Sequence, residues 1–385
     1  IAGLTSSLLS HNKKMQFTDL DVDNFVSVFE FLDQPTVIKL RATCIAFRDV
    51  IHSNHNWNRR QFIVLSRNKG WDLIGTAVHP AHVSLNFLGT VDMSPLFKLK
   101  EGLRSLKLGM LTTNNKQLLD LLKNCPNLSS LILDSPRFGR EPDNTGTTNQ
   151  QVTSNLKHFE LVKCYQESIF STIVELSHLL ESVSIQFDYP KRMPHLYECL
   201  KSRTSRNGSS IKTLSLINCM ANNDQELIQA LEAVDPENLV LNGAMDDPIL
   251  VLNKLATLRS LRSLTITRLV FNSDAISVSK GTQLALGNSS FCSLRSVELK
   301  EFHAHEIDDI LAEMPYIEHL TIYCINEYNS STAIVSRSLP LRSLKSIDFK
   351  YCSFDYLLRV LEKMPQPIAV ESISVTMSAT KVRSQ

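Results

Sequence analysis

Much of the usual apparatus of chemistry is missing from this sequence. Its eight cysteines (Cys44, Cys125, Cys164, Cys199, Cys219, Cys292, Cys324 and Cys352) form no CxxC pair, the spacing on which many structural zinc sites are built. It contains no P-loop, no GxGxxG, no GxSxG and no HExxH. A phosphate cradle, a nucleophile elbow and a zinc-protease helix are therefore not expected. The histidine pairs His52/His55, His79/His82 and His303/His305 lack the further ligands that zinc requires. No charge sign dominates: the net charge is +1 and the pI near 7.7, which leaves no bulk field for nucleic acid or an anionic membrane. No apolar run approaches the roughly 20 residues that span a bilayer. The first residues, IAGLTSSLLSHNKKM, carry their basic residues after the apolar patch, unlike a secretory signal. The expectation is a cytosolic or nuclear protein with reduced thiols, no cofactor, no metal, no catalytic residues, and neither nucleic acid nor membrane as a partner.

What is present is a repeat. LRSLKLGML begins at Leu103, LSSLILDSP at Leu128, LKHFELVKC at Leu156, LESVSIQF at Leu180 and IKTLSLINC at Ile211. LRSLTITRL follows at Leu261, LRSVELKEF at Leu294, IEHLTIYCI at Ile317 and LKSIDFKYC at Leu344. Weaker copies are HVSLNFLG around Leu85, ENLVLNGA around Leu239 and VESISVTM around Ile373. All follow LxxLxLxx(N/C), at spacings of about 21 to 33 residues, close to those of leucine-rich repeats. In such a unit the two central apolar residues point to one side of a short strand and their neighbours to the other. One unit cannot bury its apolar side by itself, so units stack and share a core. Cys164, Cys219 and Cys352 fall at the Asn/Cys position, beneath the turn that leaves the strand, where a structural role is expected.

Between the copies lie segments with apolar residues three and four apart: NKQLLDLLKNCP, QESIFSTIVELSHLL, NDQELIQALEAVDP, DPILVLNKLATL, HEIDDILAEMP and SFDYLLRVLEKMP. These read as helices, several stopped by proline. Asn222 or Asn223 can cap the third. The expected fold class is α/β: a leucine-rich-repeat solenoid, a horseshoe with parallel strands on the concave face and helices outside. About twelve irregular repeats span residues 82–385. Residues 134–155, polar and without apolar period, read as a long loop, and Lys201–Ser210 as a second, solvated one. Residues 61–81 read as a connector or N-terminal cap. Residues 1–16 read as a disordered or weakly ordered arm. Because Met15 directly precedes the first patterned segment, residues 1–14 are either part of that arm or sequence upstream of the natural start.

Residues 17–60 contain FTDLDVDNFVSVFEFLDQPTVIKLRATCIAFRDVIHSNHNW. Leu20, Phe25, Val28, Phe29 and Leu32 recur at helical spacing, and Val37, Ile38 and Leu40 continue the pattern. About 40 residues bury too little area to stand without a partner. From Leu20 to Trp57 the segment resembles an F-box, matching its opening leucine, its acid at Asp23, its two apolar helices, its cysteine at Cys44 and its closing tryptophan. It departs from that pattern at Asp21, Thr43 and Phe47, which stand where proline, valine and tryptophan are usual. The resemblance to the F-box/leucine-rich-repeat family implies a small all-α F-box ahead of the solenoid. It also implies docking of a Skp-type adaptor through Leu20, Asp21, Phe25, Val28, Phe29, Leu32, Val37, Ile38 and Leu40. Through that adaptor it implies a cullin and a RING subunit, with a substrate protein held on the repeats for ubiquitination. The other expectations are an interaction scaffold with a helical cap and no ubiquitin role, and a repeat receptor gated by a small molecule.

The repeat also places the substrate surface, because the third, fifth and seventh residues of each LxxLxLx point away from the core. In the middle repeats these are mostly Ser and Thr. In the last repeats they are charged and aromatic, so the expected substrate site is Glu298, Lys300, His319, Tyr323, Asp348 and Lys350.

Overall fold

The computed structural model describes residues 32, 34–40, 61–64, 80–90, 93–113, 115–138, 154–163, 170, 173–174, 176–207, 211–243, 245, 248–267, 291–302, 304–323, 339–352, 354–365 and 370–376. The N-terminal arm, most of the F-box-like segment, residues 139–153 of the long loop, and Cys44, Cys164 and Cys324 lie outside the described residues.

All twelve repeat copies are strands of one parallel sheet. In chain order they are β2 (His82–Thr90), β3 (Ser105–Thr113), β4 (Ser130–Asp134), β6 (His158–Val162), β7 (Ser182–Arg192) and β8 (Thr213–Met220). Then follow β9 (Asn238–Asn242), β10 (Ser263–Thr267), β11 (Ser296–Lys300), β12 (His319–Tyr323), β13 (Ser346–Lys350) and β14 (Ser372–Thr376). Two further strands have no repeat signature. One is β1 (Gln61–Val64), which starts the sheet beside β2. The other is the two-residue β5 (Arg137–Phe138), which pairs with the tail of β3 at Thr112 and Thr113. Each remaining strand lies beside its sequence neighbour, and the central residues share one register. For example, Leu264 faces Leu239 on one side and Val297 on the other. The protein is thus an α/β leucine-rich-repeat solenoid.

The alternation within the strands decides what is buried. Leu214 and Leu216, Leu264 and Ile266, Val297 and Leu299, and Leu320 and Ile322 are at most 1% exposed, while the residues between them are half-buried. The buried rows run beneath the helices. These are α1 (Gln34–Leu40), α2 (Ser94–Phe97), α3 (Asn115–Asn124), α4 (Pro194–Asn207), α5 (Asp224–Val234), α6 (Pro248–Leu255), α7 (Ala304–Ala312) and α8 (Phe354–Lys363). Leu227, Ile228 and Leu231 of α5 and Ile307, Ile310 and Leu311 of α7 join the same apolar cluster as the strands. The other strand face carries no helix side chains of that cluster and is the open face. None of the described helices is long and apolar enough to cross a membrane.

Local chemistry sets the element ends. The Asn223 side chain accepts from the Glu226 N–H at 2.9 Å, and the Glu226 carboxylate accepts from the Asn222 N–H at 2.9 Å. This reciprocal cap fixes the start of α5. α4 corrects the expectation of a solvated loop at Lys201–Ser210, because Lys201–Asn207 is its C-terminal half. Its apolar anchor lies upstream of the polar run: Leu196, Tyr197 and Leu200 are fully buried, and the Tyr197 hydroxyl donates to the Cys219 carbonyl at 2.6 Å. A helix seated by its first turns needs no burial in its last. At the far end of the strands Met110, Ser135, Lys163, Asn218, Glu301 and Tyr351 all adopt positive φ near 60°, and so does Gly243. That left-handed step turns the next side chain under the sheet. It buries Cys219 and Cys352, whose thiols donate to the carbonyls of Ile185 and Ile322 on the preceding strand. Burial also raises the Cys219 thiol pKa, with partial relief from a backbone hydrogen bond at Ile217, and pushes Cys125 up to about 11. These are structural thiols.

At the near end the residue just before each strand forms a leading rim. Its carbonyl accepts two N–H groups from the following repeat, as Arg262 O does from Arg295 (2.8 Å) and Ser296 (3.0 Å). The side chains of this rim run Arg104, Ser129, Lys157, Glu181, Lys212, Glu237, Arg262, Arg295, Glu318, Lys345 and Glu371. Glu181 bridges Lys157 (3.6 Å) and Lys212 (3.4 Å), and Glu318 bridges Arg295 (3.4 Å) and Lys345. The rim is a ladder of alternating charge.

Candidate functional site

The open face changes composition along the solenoid. The row through the strand centres reads Ser184, Ser215, Val240, Thr265, Glu298, Thr321 and Asp348. Two residues further along each strand the row reads Gln186, Ile217, Asn242, Thr267, Lys300, Tyr323 and Lys350. The in-register sheet therefore sets Lys300, Tyr323 and Lys350 side by side on adjacent strands, with Glu298 and Asp348 one step back.

Tyr323 is the centre of this group. The ammonium groups of Lys300 and Lys350 each lie 4.9 Å from its ring centroid, within cation–π range. Lys350 Nζ also donates to the Tyr323 hydroxyl at 2.9 Å. The Tyr351 ring packs beside it at 6.2 Å, tilted by 38°. Each lysine is tied to the carboxylate of its own strand: Lys300 to Glu298 at 3.2 Å and Lys350 to Asp348 at 3.3 Å. The hydrogen bond to Tyr323, together with Asp348, raises the Lys350 pKa against a small desolvation cost, so its charge is secure at neutral pH. Burial raises the Glu301 carboxyl, partly offset by Lys300.

Among the described residues, the far carboxylate oxygen of Asp348, Oδ1, is buried without a hydrogen-bond partner, as are Asn242 Oδ1 and Thr267 Oγ1 in the row that leads to Lys300. Unmet polar atoms of this kind cost stability unless a donor arrives. A surface with an aromatic centre, two fixed ammonium groups and anionic neighbours suits a polypeptide that brings its own donors and carboxylates.

Of the six residues expected at this site, five are brought together. His319 is in the same strand as Tyr323 but at its opposite end, where Nδ1 bonds the Ser346 hydroxyl at 2.8 Å. Two neighbours were not among the expected site residues. Thr265 Oγ1 donates to Glu298 at 3.1 Å, and Tyr351 backs Tyr323. Reading the outward column across adjacent repeats would have found Thr265. Of the adaptor residues, Leu20, Asp21, Phe25, Val28 and Phe29 lie outside the described residues, as does the side chain of Ile38 within α1. Val37 is buried in the apolar cluster, with Leu32 and Leu40 packed against it. Among the described residues no three His, Cys, Asp or Glu side chains are grouped to hold a metal ion.

No protein-family model matches the sequence. No curated protein matches it either. Among solved structures it is similar to one described as the crystal structure of the Rad7 and Elc1 complex in yeast, at 13% sequence identity and a TM-score of 0.43, over 97% of this chain and 92% of that one. A likeness of that degree assigns no partner and no activity to this chain.

Proposed function

We propose that this protein is a non-catalytic receptor that holds a substrate protein on the open face of its repeats and delivers it to a ubiquitin ligase of the SCF type. The observation that carries the receptor half is the group around Tyr323. Five outward side chains from β11, β12 and β13, with Tyr351 behind them, make one fixed cluster on a face that the helices do not cover. The ligase half rests on the F-box resemblance of residues 17–60. In this reading those residues dock a Skp-type adaptor, a cullin and a RING subunit follow through it, and ubiquitination gains from the proximity of the captured substrate. The protein then works in the cytoplasm or nucleus, where those partners and reduced thiols occur.

A second reading has an observation of its own. Val37 lies in the common buried cluster, as expected if the helical segment caps the first repeat, an end that solenoids must cover. Co-purification separates the two. The full chain is expected to bring down a Skp-type adaptor, and Phe29→Glu to lose it while circular dichroism and repeat-mediated capture stay unchanged. A full chain that recovers no adaptor leaves the cap reading standing.

A further inference from the structure

The leading rim alternates in sign except at a neutral rung, Ser129, and at one junction of like charges. β10 and β11 are each immediately preceded by arginine, so Arg262 and Arg295 occupy adjacent rungs. Neighbouring strands lie roughly 4.8 Å apart, and like charges directly opposite each other are unfavourable. Arg295 turns away from the conflict. Its guanidinium bonds Glu318 at 3.4 Å, donates to the carbonyls of Cys292 and Leu294, and lies 5.9 Å from the Tyr316 ring centroid. A cleft of about 410 Å³ opens at this rung, lined by Arg259, Arg262, Arg295, Ser260, Ser293 and Glu237. Among the described residues, the Arg259 and Arg262 guanidinium groups have no ion pair or hydrogen-bond partner, and neither does the Glu237 carboxylate. Arg295 is already paired with Glu318, so Arg259 and Arg262 against Glu237 leave the cleft one positive charge in excess.

The rest of the rim shows what fits. At two rungs flanked by cations a carboxylate bridges both neighbours: Glu181 between Lys157 and Lys212, and Glu318 between Arg295 and Lys345. The other interruption, Ser129 between Arg104 and Lys157, is a neutral rung and sets no like charges side by side. Among the described residues, only the β10–β11 junction combines adjacent cations, two guanidinium groups without partners and an open cleft.

We propose that this cleft binds an acidic segment of a partner protein, with a carboxylate from that segment taking the missing rung between Arg262 and Arg295. Arginine suits the role because its planar fork accepts a carboxylate through two parallel hydrogen bonds. The Ser260 hydroxyl is already committed to Asp235 at 2.8 Å, so the guanidinium groups carry the recognition. The inference rests on the solenoid being a protein-binding receptor and is independent of adaptor docking.

The test uses the full chain and a fluorescein-labelled Gly-Glu-Glu-Gly-Glu-Glu-Gly peptide in low salt, followed by anisotropy. The peptide is expected to bind about tenfold more tightly than its Gln counterpart, a gap of roughly 1.4 kcal/mol, and to weaken steeply with added salt. Arg259→Gln with Arg262→Gln is expected to erase that preference without changing the circular dichroism. Arg262→Glu, which supplies the missing carboxylate internally, is expected to do the same and to raise stability. The proposal is overturned by equal binding of the two peptides, or by arginine variants that bind like the parent. Displacement of the peptide by inorganic phosphate at equal or lower concentration also overturns it, since that marks a small-anion site. Adaptor co-purification in the same variants is expected to be unchanged, so this inference and the ligase reading fail separately.

Discussion

The open face of β7 to β10 and that of β11 to β13 are built on the same floor and carry different surfaces. Beneath both run the same two rows of Leu, Ile, Val and Phe, at most 1% exposed. Above the first stand Ser184, Ser215 and Thr265, short hydroxyls with little charge. Above the second stand Glu298, Lys300, Tyr323, Asp348 and Lys350, tied together by ion pairs and cation–π contacts. A stacked repeat separates the two demands by residue parity: even positions of the strand answer to the core, odd positions to whatever the face meets. The two regions can therefore differ in surface while sharing one core.

If that separation holds, the two regions respond alike to damage from below. Leu216→Ala under β8 and Leu299→Ala under β11 each remove a fully buried side chain. Each is expected to cost about 3 kcal/mol, within the range of buried Leu→Ala changes. Urea unfolding measures both. Values that differ by more than about 2 kcal/mol would mean that the two floors are not equivalent and would break the comparison.

Damage from above is expected to divide them. Tyr323→Ala with Lys350→Ala removes the aromatic centre and one of its cations, and is expected to weaken capture of the substrate protein by about 30-fold, the scale of a hot spot of roughly 2 kcal/mol. Ser215→Ala with Thr265→Ala, on the same face, is expected to change capture less than about threefold, because short hydroxyls seldom act as hot spots. Pull-down of the bound protein, quantified against the parent chain, makes the measurement. Equal losses in both pairs would spread the site along the whole face, and no loss in the first would remove it from the C-terminal third.

Much of this was legible in the sequence, for a physical reason. Period-two alternation inside a fixed LxxLxL frame states both which residues are buried and which share a face. Each of the twelve copies became a strand, and Lys300, Tyr323 and Lys350 could be placed together before any coordinates. The cap at Asn223 was legible because it is local. Four features were not. β1 and β5 carry no repeat signature, since their pairing is imposed by β2 and by the tail of β3. The end of α4 is polar, and only the buried Leu196, Tyr197 and Leu200 upstream show that a helix runs through it. His319 was grouped with Tyr323 because both belong to one strand, although four residues of extended chain span roughly 13 Å. The charged rim was present in the second position of most copies. It escapes a reading along the chain because its partners are one repeat apart.

That rim allows the smallest and most discriminating test of how neighbouring repeats are held. Glu181 and Glu318 have carboxyl pKa values held below the ordinary range. The hydrogen bonds from Lys212 and Lys345 are the largest causes, with the charges of Lys157 and Arg295 adding to them. A carboxyl whose folded pKa lies below its unfolded one, about 4.3 for glutamate, stabilises the fold above the unfolded value. It loses that contribution as pH falls through the depressed folded value. Glu318→Gln is therefore expected to be slightly less stable than the parent at pH 7, and the gap is expected to close as the medium is acidified past the folded value of Glu318. Both groups are solvent-exposed, so added salt is expected to shrink the neutral-pH gap as well. Urea midpoints for the two chains across pH 7 to 3, at low and high salt, measure it. A gap that persists unchanged in acid would show that Glu318 acts through packing of its side chain and not through its charge, and the rim would then be an ornament of the repeat and not a charge ladder.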